Sequence, residues 1–127
     1  MKLFFRKPLT SEITNGVIIG DSYNAAAHTQ GENSIAIASG PFSSASTSGE
    51  NSIAIASGIC SQATVMNADG VAIAWGMKSK AKGVTGSTLI FRDSKNGRTR
   101  IVTKYVDGCE IKADTFYHVF KNEIVEA

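Results

Sequence analysis

Apolar and polar residues along this chain follow a fixed rhythm. Residues 31–40 read GENSIAIASG, and residues 49–58 repeat the same ten letters. The offset is 18, and a further step of 18 gives NADGVAIAWG at residues 67–76. A step back gives ITNGVIIGDS at residues 13–22, and TGSTLIFRDS at residues 85–94 opens another copy. Four full periods result, 13–30, 31–48, 49–66 and 67–84, with the start of a fifth. Self-similarity at a fixed period marks a repeat architecture, in which each unit buries its apolar face only by stacking on the next. The columns show what the unit is. Val17, Ile35, Ile53, Val71 and Leu89 form one column, and Ile19, Ile37, Ile55, Ile73 and Phe91 another. Between them stand Ile18, Ala36, Ala54, Ala72 and Ile90. The second half of each period carries Ala27, Ala45, Ala63 and Ala81, preceded two residues earlier by Ala25, Ser43, Ser61 and Ser79. Each period thus holds two short segments of period-2 alternation, the signature of strands. Turn residues separate them: Gly40, Gly58 and Gly76 on one side, Gly31, Gly49 and Asn67 on the other.

The pattern predicts an all-β protein, a β-solenoid or β-roll of 18-residue coils. Each strand should pair with its copy one period on, about 4.7 Å away. The bulky wall, Ile35 and Ile37 with their equivalents, is expected to face Ser43 and Ala45, so that large packs against small. Alternation then turns Ala36, Ala38, Ala54, Ala56, Ala72 and Ala74 outward, as a narrow apolar ribbon lining an oligomer interface. With the faces reversed, the isoleucine columns would form a wider ribbon. Either ribbon points to a homo-oligomer. A second geometry stays open, because 18 is also three times six, the period of a three-sided left-handed β-helix. Asn15, Asn33, Asn51 and Asp69 precede the first strands, where side-chain hydrogen bonds to turn backbone are expected rather than a calcium ladder.

The texture changes beyond the repeat. The division read from the sequence is an N-terminal lead-in at residues 1–12, the solenoid at 13–91 and a small antiparallel cap at 92–127. Asn96-Gly97 and Asp107-Gly108 read as tight turns. Strands are expected over residues 87–92, 98–106, 109–112, 115–120 and 123–127, with Phe116, Tyr117 and Phe120 as cap core. Small and β-branched residues dominate, and 12 glycines stand against only two prolines.

Charge is uneven although the net charge is only +2. Residues 9–76 hold no Lys or Arg but carry Glu12, Asp21, Glu32, Glu50 and Asp69. Lys78, Lys80, Lys82, Arg92, Lys95, Arg98, Arg100 and Lys104 then follow with one acid, Asp93. These eight are the candidate surface for a polyanion or an acidic partner, or else a solubilising edge. The two histidines, His28 and His118, have no carboxylate at a recognisable spacing, so no catalytic residue and no cofactor are assigned. Cys60 and Cys109 read as free thiols, and no spacing suits zinc. A threonine ladder of the ice-binding kind is broken, since Thr29 and Thr47 give way to Val65 and Gly83. The N-terminal apolar run is too short for a signal-peptide core and no stretch is long enough to span a bilayer. A cytoplasmic or virion-associated protein is expected.

The string Ser34-Ile35-Ala36-Ile37-Ala38, recurring between Gly and Asn turns, resembles the head repeats of trimeric autotransporter adhesins, the YadA-like β-roll, over roughly residues 15–91. The resemblance implies a left-handed roll with three chains side by side. The C-terminal part resembles the tails of uncharacterised repeat proteins of bacterial and phage genomes. It carries Ser79-Lys80-Ala81-Lys82-Gly83, then Val106-Asp107-Gly108, then residues 111–117. That likeness implies a phage- or prophage-related origin. The reading is a non-enzymatic structural or protein-interaction module, an oligomeric scaffold or binding module whose expected partners are a host protein, a polyanion or further copies of the chain. The alternatives are an adhesin-like head, a polyanion-binding module and a hexapeptide-type acyltransferase.

Overall fold

The computed structural model describes residues 4–7, 10–13 and 16–127, and every regular element in them is a strand. Two seven-stranded sheets form the walls. Sheet A holds, in order, β1 (Phe4–Lys7), β3 (Val17–Gly20), β5 (Ile35–Ala38), β7 (Ile53–Ala56), β9 (Val71–Ala74), β11 (Thr88–Lys95) and β12 (Arg98–Tyr105). Sheet B runs β2 (Thr10–Ile13), β4 (Ala26–Thr29), β6 (Ser44–Thr47), β8 (Gln62–Val65), β10 (Lys80–Lys82), β13 (Tyr117–Phe120) and β14 (Glu123–Glu126). The chain alternates between walls, so each coil supplies one strand to each. Ile37 lies beside Ile55 and Ile55 beside Ile73, the 18-residue register the repeat requires. Two strands per coil make a two-walled solenoid. A three-sided helix would bury every sixth residue from Ile35, yet Pro41 and Ile59 are exposed.

The faces are reversed from the expected arrangement. Ala36, Ala38, Ala54, Ala56 and Ala72 are 0% exposed and Ala74 4%, so the alanines assigned to an oligomer interface line the interior. They meet Ala27, Ala45, Ala63 and Ala81 from the other wall, all buried. Small therefore packs against small, and the isoleucine columns point outward. Five-residue turns such as 39–43 join the walls, and alanine is the side chain that most often fills the space between them, with Ile18, Thr29, Thr47 and Val65 at single positions. Glycine at the turns serves the close approach of successive coils. A Cβ on Gly58 would lie 2.3 Å from the carbonyl oxygen of Gly40 in the preceding coil, inside any contact distance.

Buried hydroxyls turn inward beside the alanines and close the turns. Ser61 Oγ donates to the Gly58 carbonyl at 2.6 Å, Ser79 Oγ to that of Gly76 at 2.6 Å, and Ser43 does the same to Gly40. Asn33 and Asn51 hold left-handed backbone, φ 55° and 53°, and the Asn33 N–H donates to the Glu50 carbonyl of the next coil at 2.9 Å. Their shared role is thus conformational, through a φ that asparagine tolerates. Asn15 lies outside the described residues.

Both ends depart from the period. The residues expected as a lead-in contain β1 and β2, which pair in parallel with β3 and β4 through Phe4–Val17 and Thr10–Ala26, closer in sequence than 18. At the other end the register slips by one residue. Leu89 pairs with Ala72, Ile90 with Ile73 and Phe91 with Ala74. Leu89 and Phe91 therefore belong to the interior, not to the isoleucine columns in which the repeat placed them, because a one-residue slip exchanges the faces of a strand. Both are 0% exposed.

Each wall then ends in an antiparallel hairpin. β11 and β12 turn at Asn96-Gly97, and β13 and β14 at Lys121-Asn122, all four residues with positive φ. Residues 109–112 form a loop instead of a strand. Asp107 Oδ1 accepts from the N–H groups of Cys109 at 2.8 Å and Ile111 at 3.1 Å, which curls the backbone there. Those bonds hold the Asp107 carboxyl below its ordinary value. Of the aromatic trio only Tyr117 is core, with its hydroxyl accepting from the Lys112 N–H at 2.8 Å. Phe116 is half-buried and Phe120 is 54% exposed.

Candidate functional site

The solenoid presents four long surfaces of different character. The outer face of sheet A carries Val17, Ile19, Ile35, Ile37, Ile53, Ile55, Val71, Ile73 and Ile90, all half-buried. It continues onto β12, where Ile101 and Tyr105 are each 60% exposed. Cross-strand pairing puts these two on the same face as Arg92 and Thr88. Six strands at about 4.8 Å and four residues at about 3.3 Å give a patch near 400 Å² before side-chain relief. The outer face of sheet B is polar: Ala26 and His28, Ser44 and Ser46, Gln62 and Thr64, Lys80 and Lys82. One turn edge bears Tyr23, Phe42, Ile59 and Met77, all exposed. The opposite edge bears the exposed acids Glu32, Glu50 and Asp69.

The eight basic candidates are spread over both walls. Lys80 and Lys82 stand on the outside of sheet B, each with its ammonium 4.7 Å from the Phe116 ring centre. Arg92 is on the outside of sheet A, its guanidinium 5.2 Å from the Trp75 ring centre. Lys78 is exposed in the turn between β9 and β10. Arg98 and Arg100 are exposed on β12, and Lys104 is half-buried further along it. The Lys95 side chain lies outside the description. Arg100 is an ion-pair partner: Nη2 lies 2.5 Å from Asp93 Oδ2 and Nε 3.2 Å from Oδ1. The Asp93 side chain is 1% exposed, and its hydrogen bond raises the Arg100 pKa above the ordinary value.

That ion pair borders a cleft of about 570 Å³. β3, β5, β7 and β9 each stop after four residues and turn, whereas β11 runs straight on for eight. The overhanging β11–β12 hairpin supplies Phe91, Arg92, Asp93, Ser94 and Thr99 to one side. His118, Val119 and Phe120 of β13 form the other, and residues 74–79 form the floor. Arg100 Nη2 also donates to the Asn122 carbonyl at 3.3 Å, which ties the two hairpins together. The sequence did not single out this cleft, because its walls meet only through the straight extension of β11.

The histidines occupy different places. His28 Nδ1 lies 2.7 Å from Ser46 Oγ on the polar wall. His118 stacks on Phe120 with ring centres 6.3 Å apart. Among the described residues neither ring is hydrogen-bonded to a carboxylate, and no cluster of three or more His, Cys, Asp or Glu could hold a metal. Cys60 and Cys109 are free thiols. Thr29 and Thr47 are buried inside the solenoid, so they form no outward ladder. Among the described residues no helix is long and apolar enough to cross a membrane. Comparison with known proteins gives no match: no family model, no curated protein and no solved structure aligns significantly with this chain.

Proposed function

We propose that this protein is a non-enzymatic structural and interaction module that assembles with copies of itself through the outer face of sheet A. The observation that carries the reading is the outward isoleucine columns, set against a polar outer face on sheet B. A patch of this extent falls in the range of the largest apolar patch on a protein surface, and such patches are often functional. A second copy suits it better than an unrelated partner. Its columns repeat at the same strand pitch, so ridges and grooves of two such faces stay commensurate along the whole stack. Three copies are proposed, following the resemblance of the repeat to adhesin heads, and a phage- or prophage-related origin follows from the resemblance of the C-terminal part.

Light scattering on the purified chain tests the assembly. The expected mass is that of three chains, reduced to one by the double change Ile37→Glu and Ile55→Glu, with the strand signal in circular dichroism retained. Thr64→Glu on the polar wall should leave the mass unchanged. A parent chain that is monomeric at micromolar concentration overturns the reading.

A further inference from the structure

We propose that the cleft over residues 75–79 is a binding site for a carboxylate carried on an apolar or aromatic body. This goes beyond self-assembly, since the site lies at the hairpin end and not on the isoleucine columns. Its chemistry follows from an interrupted ladder. In each coil the left-handed residue of the first turn donates its N–H to a carbonyl of the next coil: Asn24 to Pro41, Phe42 to Ile59 and Cys60 to Met77, each at 2.9 Å. Lys78 is the next residue in that series, with φ 57°. Its N–H points where a fifth turn would lie, but β11 runs straight there and the cleft takes that place. Among the described residues no carbonyl accepts this N–H. The cleft therefore offers a fixed donor aimed at an acceptor oxygen that the protein itself does not supply.

Charge selects an anion for that position. Lys78 and Arg92 both line the cleft, and the single acid there, Asp93, is already neutralised by Arg100. An N–H beside an ammonium is a site for a carboxylate oxygen, and charge-assisted bonds are the stronger kind. The rest of the lining asks for an apolar body. Phe91 is fully buried in the β11 side of the cleft, and Met77 and Phe120 are 64% and 54% exposed along it. A volume of about 570 Å³ suits a small ligand or a single chain terminus. The Asp93–Arg100–Asn122 connection holds the two walls in place before anything binds.

Trp75 is the only tryptophan of the chain and lines the cleft, so its fluorescence reports occupancy. The probes are 3-phenylpropionate, 3-phenylpropanol and 3-phenylpropylamine, which share one body and differ in charge. The expected result is saturable binding of the acid, about tenfold weaker binding of the alcohol and none of the amine, the tenfold being the loss of one charge-assisted bond. The Lys78 amide resonance should shift with the acid at the same concentrations. Lys78→Gln should weaken the acid about tenfold while the thermal midpoint stays within error. Peptides ending in free phenylalanine separate the sources: tighter binding than the small acid indicates a chain terminus, and weaker binding a free acid. Equal binding of all three probes, or no saturation at millimolar concentration, overturns the proposal. So does acid binding that survives Lys78→Gln unchanged. None of these outcomes depends on the number of chains in the assembly.

Discussion

Between residues 16 and 82 the interior is made of alanine, serine and threonine, with Ile18 and Val65 the larger exceptions. Between residues 87 and 117 its apolar side chains are Leu89, Phe91, Val106, Ile111 and Tyr117, with Ser87 and Asp93 buried beside them. The coils thus hold together mainly through backbone ladders and close contact of small side chains, repeated coil upon coil. The hairpin end holds together through bulky apolar groups, each present once. A repeated contact is weak singly and secure in number, because each coil touches only its neighbours. A single large side chain concentrates its contribution in one place, and the two regions should respond to mutation in opposite ways.

The largest effect is expected at the hairpin end. Phe91→Ala should destabilise by about 3–5 kcal/mol, the usual range for deleting a buried phenylalanine. Denaturant unfolding followed by circular dichroism measures it, and a loss under 1 kcal/mol, roughly, would show that Phe91 is not the plug that its burial suggests. Within the coils the opposite change should hurt. Ala54→Leu adds volume between walls that cannot part and should cost about 1–3 kcal/mol. If it were tolerated, the walls would have to be further apart than an alanine interior allows.

The repeat period and the turn positions were legible in the sequence, because identical residues recur 18 apart, and the two-strand unit was the favoured reading although 18 also admits a three-sided coil. The choice of inner face was not legible. Alternation offers two sets, and the usual preference for burying isoleucine over alanine points the wrong way. The clue lay in the serines: Ser34, Ser43, Ser52 and Ser61 bond turn backbone from inside and share their phase with the alanines. The slip at Leu89 had a clue of the same kind. Setting Ser87 against Ser34 and Ser52, rather than counting 18, aligns Leu89 and Phe91 with the inward alanines. The cleft was illegible, since nothing in the period says that β11 continues past its turn.

A smaller effect is expected at Thr47. Its hydroxyl is buried without a hydrogen-bond partner among the described residues, and Val65 occupies the same column one coil on. Thr47→Val should therefore stabilise by about 1 kcal/mol, read as a rise in thermal midpoint. A fall would mean that the hydroxyl is satisfied after all. The smallest effect is at the exposed Asp107. Its folded pKa lies below the unfolded value of about 3.9, so its contribution is complete above that pH and is lost as pH falls through the folded pKa. The difference in midpoint between the parent and Asp107→Asn should be constant from neutral pH to about 5 and shrink below about 4. A difference that grows on acidification contradicts the Asx-type loop.

Parallel strands stacked in register, with isoleucine on isoleucine and alanine on alanine, are the arrangement of a cross-β fibril written into one covalent chain. Such a stack is a template, and an open last coil would recruit any strand of matching pattern. The two hairpins end that growth. They reverse strand direction, break the 18-residue register and place Arg98 and Arg100 on the final strand of sheet A, where charge discourages pairing. The C-terminal segment is thus a chain terminator in the polymer sense, closing its own end of a motif that could otherwise propagate.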